Sequence, residues 1–202
     1  RNGPSPAWLQ QRLKAIGLRP ISTLVDITNY ITFAHARPLH VFDAKKVTGN
    51  ITARFAREGE TIAALDNKSY ALSPGMTVIA DDAHAEAIAG IIGGLPSGCT
   101  PETTDVFLEA AYFDPVRTAA TGRKLGINSD ARYRFERGID PAFTPVGAEI
   151  ATRMILDLCG GEASHLVVAG KVPDTKRTFT LRKTRVKQLG GLDCPWAEQL
   201  RI

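Results

Sequence analysis

The chain is poor in cysteine, methionine and tryptophan and has no long apolar run. Its three cysteines, Cys99, Cys159 and Cys194, stand far apart, with no CxxC pair and no histidine beside them at metal-ligand spacing. This points to neither a disulfide framework nor a zinc site, so reduced thiols, a cytoplasmic setting and no bound metal are expected. The absence of a signal-peptide pattern or membrane-length segment argues against a membrane partner. Charge of one sign is also scarce: 25 Lys and Arg against 21 Asp and Glu leave +4. A pI near 9.1 is compatible with a polyanion partner but does not by itself indicate one. The first residue is Arg1 rather than Met, from which a piece of a longer protein is expected.

What is present is ordinary globular material, 44% hydrophobic with 18 glycines, enough for one sizeable core. In "SPAWLQQRLKAIGLRP", Ser5 as cap, Pro6 at the first turn, Leu9, Leu13 and Ile16 on one face and a stop at Gly17 predict a helix. "VDITNYITFAHARPLHVFD" mixes strand formers with helical spacing behind a capping Asp26, and is read as helix then loop. From Asn50, short β-branched or alternating stretches broken by Asp-Asn, Pro-Gly and Gly-Gly predict a mostly antiparallel sheet. Asp114 and Pro115 open a helix closed by Gly126, and a longer helix runs from about Pro141 to Cys159. The expected fold is α+β, mostly antiparallel sheet flanked by helices, over residues 1–173. The basic segment 174–202 is expected to be a linker and the truncated start of a following module.

"VFLEAAYF", residues 106–113, is apolar on both alternating faces and predicts the most buried strand of the sheet, with Glu109 as its lone carboxylate. A carboxylate buried there is paired with an arginine, protonated, or kept for a ligand. Arginines 123, 132, 134 and 137 alternate with Tyr133 and Phe135, a pattern open to RNA contact or to an amphipathic strand whose arginines pair with Asp130, Glu136 and Asp140.

"TNYITFAHARPLHVFD", "GIIGGLPSG" with "VFLEAAYF", and "GINSDARYRFERGIDP" stand in an order and spacing that resembles the editing domain of the bacterial phenylalanyl-tRNA synthetase beta chain, its third and fourth modules. The resemblance runs from about Pro6 to Pro173. It implies hydrolysis of tyrosine wrongly esterified to the phenylalanine tRNA, tRNA(Phe). A heterotetramer with two alpha chains would carry out the ATP- and Mg2+-dependent ligation, with no cofactor in this segment. It implies that Glu109 faces the phenol of tyrosine, that Gly93 and Gly94 leave room for the ring, and that His40 and Ser129 lie at the scissile ester. Thr28, Asn29 and Ala131 would complete the pocket. Ser129 stands where the family frequently has threonine. Read alone, His40 is equally a structural histidine, Thr28 and Asn29 are caps or turn residues, and the glycines form a turn. A non-catalytic tRNA-docking or subunit-interface module and a free-standing trans-editing deacylase are the alternative readings.

Overall fold

The computed structural model describes residues 1–174 and 176–202. Contacts divide them into two units, Arg1–Val172 and Pro173–Ile202. The first is α+β, and all its strand pairs are antiparallel.

It opens with α1, Ala7–Ala15, and α2, Thr23–Ala34. Leu9 and Leu13 of α1 pack with Ile27 and Ile31 of α2, as the helical spacing of these residues requires. Two expectations here need correction. Ser5 does not cap α1: its hydroxyl donates to Asp26 Oδ2 at 2.5 Å. Asp26, in turn, sits inside α2 rather than at its start, and its other oxygen accepts from the Ile21 N–H. Ser5 and Asp26 thus satisfy each other across the α1–α2 junction, a long-range pairing that local capping rules do not anticipate. Ile16 lies outside the packed face and is exposed, because the helix ends before it.

Beyond α2 the chain forms a strand where loop was expected, β1, His40–Asp43. There follow β2 (Thr52–Phe55), β3 (Thr61–Ala63), β4 (Ser69–Ala71), β5 (Thr77–Ala80), β6 (Ala85–Ile88), β7 (Ile92–Gly93) and β8 (Val106–Glu109). They make three small sheets: β1 with β8, β2-β5-β6-β7, and β3 with β4. The most buried strand is β6, all four of whose residues are inside, and not "VFLEAAYF". That segment is a strand only as far as Glu109, pairs with β1 alone, and leaves Phe107 41% exposed. Its two apolar faces have separate causes. Leu108 covers the α1–α2 helical cluster on one side, while Phe107 meets Phe42 across the ladder on the other. Phe113 then leaves the strand to pack against Phe135.

The helix opened by Asp114 forms as read: α3 spans Pro115–Leu125, Asp114 accepts from the Arg117 N–H at 2.7 Å, and Gly126 closes it at φ +66°. "SDARYRF" is a helix, α4 (Asp130–Phe135), and not the alternating strand that its arginines suggested. Side chains four apart then meet on one helical face, Arg132 with Glu136 and Arg134 with Asp130, while Arg137 pairs with the neighbouring Glu136. Asp140 is not among these partners. Its backbone carbonyl accepts from the buried guanidinium of Arg37, which also bonds the Ala111 carbonyl at 3.1 Å. A one-turn 3-10 segment, Pro141–Phe143, leads into α5, Thr144–Cys159, which packs on α2. In the second unit, α6 (Arg185–Gly190) and α7 (Trp196–Arg201) bury no residue fully.

Candidate functional site

The register of β1 and β8 places His40 directly opposite Glu109. Opposed residues of an antiparallel pair share a face, with Cβ atoms about 4.5–5.5 Å apart, so the imidazole and the carboxyl project to the same side. Phe42 and Phe107, the next pair but one, line that face, and His40 stands edge-on to Phe42 at 4.4 Å. The opposite face, carrying Leu108, is filled by the helical cluster.

Both polar groups lack partners. Glu109 makes no hydrogen bond or ion pair among the described residues, and the His40 Nε2 is buried without one. Each retains some accessible surface although protein crowds around it, and we take the recess beside the pair as the candidate crevice. The crowding moves their ionisation in opposite senses. Desolvation disfavours the charged form, so the imidazole is pushed down to about 4 and the Glu109 carboxyl up to about 7. At neutral pH the histidine is therefore an uncharged base of low strength. The glutamate titrates close to the working range, as at sites where paired groups are tuned apart.

Gly93 forms the opposite wall. A Cβ built there would lie 2.3 Å from the His40 Cε1 and 2.6 Å from its Nε2, so the imidazole occupies the space that any side chain would need. Gly94 is constrained by backbone, since its Cβ would fall 2.7 Å from the Glu86 carbonyl oxygen. That carbonyl accepts the Gly94 N–H at 2.7 Å, so this donor is engaged and does not face the crevice. Neither glycine has a positive φ, so both are required by close approach rather than by turn geometry.

Ser129 caps α4. Its Oγ accepts from the Arg132 N–H at 3.0 Å and donates to the Ile91 carbonyl at 2.6 Å, tying α4 to the segment that carries Gly93. Ala131 packs in the cluster of Phe42, Ala87 and Phe113, behind the same wall. With its hydroxyl committed at both ends, Ser129 holds the wall in place. Ser129→Ala should cost about 1–2 kcal/mol in denaturant unfolding, the usual loss for a cap. An unchanged unfolding free energy would show that the hydroxyl does not hold the wall.

Thr28 and Asn29 lie within α2, not at a cap or turn. The Thr28 hydroxyl donates back to the Val25 carbonyl at 2.8 Å, as helical threonines do, and Asn29 makes no side-chain hydrogen bond among the described residues. No hydrogen bond joins either to His40 or Glu109. The cysteines are free, and burial pushes the Cys99 thiol up to about 11, which disfavours the thiolate at neutral pH. Among the described residues, no helix is long and apolar enough to cross a membrane.

The B3/4 domain family matches residues 1–160. The chain is 65% identical over 193 residues to the phenylalanine–tRNA ligase beta subunit of Paramagnetospirillum magneticum, covering 96% of this chain and 24% of that protein. It is 63% identical over 199 residues to the beta subunit of Ruegeria pomeroyi, covering 98% and 25% respectively. The chain thus spans about a quarter of the length of these relatives. A solved N-terminal fragment of the phenylalanyl-tRNA synthetase beta subunit from Pyrococcus horikoshii aligns at TM-score 0.48 and 14% identity, over 98% of this chain and 56% of that one. With the family matched from Arg1 through the end of α5, the crevice of His40, Gly93 and Glu109 lies inside a domain of known kind, and the chain belongs to the B3/4 domain family.

Proposed function

We propose that this chain is the editing module of a phenylalanine–tRNA ligase beta subunit and that its crevice hydrolyses the ester of tyrosine mischarged onto tRNA(Phe). The observation that carries this reading is the facing pair, His40 and Glu109, each without a hydrogen-bond partner among the described residues, with His40 seated against Gly93. A pocket that selects phenylalanine rejects tyrosine poorly, since tyrosine adds only a hydroxyl, whereas a site that bonds the phenol rejects the analogue lacking it by about 10⁴-fold or more. Glu109 supplies the acceptor. Tyrosine gives the half-buried carboxylate a donor, and phenylalanine would leave it unpaired. The neutral imidazole of His40, held against Gly93, orients water at the ester carbonyl through proximity rather than strong basicity. Ligation itself, with ATP and Mg2+, belongs to the assembled enzyme of two alpha and two beta chains.

The charge states give a test in the pH profile of kcat/KM for tyrosyl-tRNA(Phe) hydrolysis, which reports free-enzyme ionisations. Activity should rise through about pH 7 as Glu109 becomes an acceptor. Glu109→Gln should flatten that limb. His40→Ala should lower the rate by less than about a hundredfold and keep the limb, because an imidazole pushed down to about 4 does not titrate near neutrality. Loss of the neutral ionisation in His40→Ala would make His40 the general base and overturn the positional role.

A further inference from the structure

The β5–β6 hairpin carries a group of side chains that the crevice does not use. Asp81, His84 and Glu86 follow the spacing Asp-x-x-His-x-Glu within "ADDAHAEAIAG", a pattern that reasoning from the cysteines does not reach. The turn folds so that one ligand atom from each lies within 4.8 Å of the others. His84 Nδ1 is 3.2 Å from Asp81 Oδ1 and 3.7 Å from Glu86 Oε1.

The three groups are held differently. Asp81 is locked: its buried carboxylate accepts from the N–H groups of Thr48, Ala83 and His84 at 2.7–2.8 Å. Burial opposes its ionisation, yet those N–H groups outweigh burial and hold the carboxyl below its ordinary range. Glu86 is the opposite case. It is 1% exposed and neither of its oxygens has a hydrogen-bond partner among the described residues, although one points at the imidazole. Buried carboxylates are ordinarily paired or ligating. The side chain of His84 is 54% exposed, which leaves the cluster open to solvent on the imidazole side.

We infer that Asp81, His84 and Glu86 bind one divalent transition cation, best matched by zinc, with solvent completing its shell. Donors around a tetrahedral zinc stand about 3.3–3.5 Å apart, since each is about 2.0–2.1 Å from the metal. The two histidine–carboxylate distances of 3.2 and 3.7 Å straddle that range. Two carboxylates and an imidazole are a mixed oxygen and nitrogen set, which favours zinc over magnesium or calcium, whose sites are built of oxygen and take six or more ligands. The cation takes the place of any proton on Nδ1, which leaves to solvent, and Glu86 gains the partner it lacks. The metal would fasten the turn that carries Asp81 and His84 to β6, whose Glu86 carbonyl holds the Gly94 N–H beside the wall of the crevice.

The test uses the full-length subunit containing this chain, stripped with chelator and then dialysed against micromolar zinc alone, with metal content measured and thermal melts recorded. Wild type should retain one zinc equivalent more than either Glu86→Gln or His84→Ala and should melt a few degrees higher with zinc, a shift that both variants lack. Magnesium in place of zinc should leave the melts unchanged. Equal zinc content in all three proteins, or a zinc-dependent shift surviving in the variants, would overturn the site and leave His84 as an ion-pair partner of the two carboxylates. The half-exposed ring of His84 makes His84→Ala a variant that keeps its fold should Glu86→Gln fail to, so either result remains decisive.

Discussion

Under the proposed editing role, Glu109→Ala is expected to lower hydrolysis of tyrosyl-tRNA(Phe) about 10- to 100-fold, the result of removing a hydrogen bond to a charged group worth about 1.5–3 kcal/mol at about 1.4 kcal/mol per tenfold. Under the proposed function, phenylalanine activation is expected to be unaffected. The more telling quantity is discrimination. Without the carboxylate, the site no longer leaves a polar group unpaired when phenylalanine enters, so hydrolysis of phenylalanyl-tRNA should rise relative to that of the tyrosyl ester. Deacylation of both esters by the assembled enzyme, with and without Glu109, measures this directly. An unchanged ratio would sink the assignment of Glu109 to the phenol and return it to the structural role that a half-buried carboxylate can also have.

The second large effect is expected at Gly93, where even one methyl suffices. A Cβ there would stand 2.3 Å from the His40 ring, so Gly93→Ala must drive the imidazole off Phe42 and out of its place opposite Glu109. Overpacking of this kind costs about 1–3 kcal/mol, tolerable for the fold because Gly93 has no positive φ and the obstructing atoms belong to a side chain. Hydrolysis should fall by about tenfold to a hundredfold, within the loss expected of His40→Ala, since misplacing a positioned group by about 1 Å costs on that order. Gly93→Trp should fill the crevice outright. Circular dichroism separates loss of site from loss of fold. A folded Gly93→Trp subunit that edits normally would show that the ester is cleaved elsewhere.

Why some of this was legible in the sequence and some was not follows from the range of the interactions involved. Helix α3 was readable because Asp114, Pro115 and Gly126 act within a few residues of themselves. Ser5 and Asp26 carried the same local signals but spent them on each other across a helix junction. "VFLEAAYF" was misplaced because apolarity on two faces does not say what covers them: one face meets helices, the other an aromatic pair on a two-stranded ribbon. The alternating arginines of α4 fit both a period-2 strand and a helix with pairs four apart, and the Ser129 cap favours the helix. The facing of His40 and Glu109 depends on a register between distant segments, which no local pattern encodes.

That ladder between β1 and β8 also closes a long loop around most of the strands. Because loop closure grows costlier only logarithmically, about 0.6 kcal/mol for each doubling of length, the ends hardly sense how much chain lies between them. The enclosed segment is therefore free to vary in one place and bound in another. Its exposed turn at Glu58 and Gly59 can lengthen or shorten without disturbing the facing pair, whereas the β3–β4 hairpin, whose Leu65 N–H donates to the Gly93 carbonyl at 3.0 Å, and the β6–β7 turn are both held where the imidazole seats on Gly93. Tolerance to insertion along this stretch is thus uneven by construction, wide at the periphery and absent where the loop returns to touch its own closure.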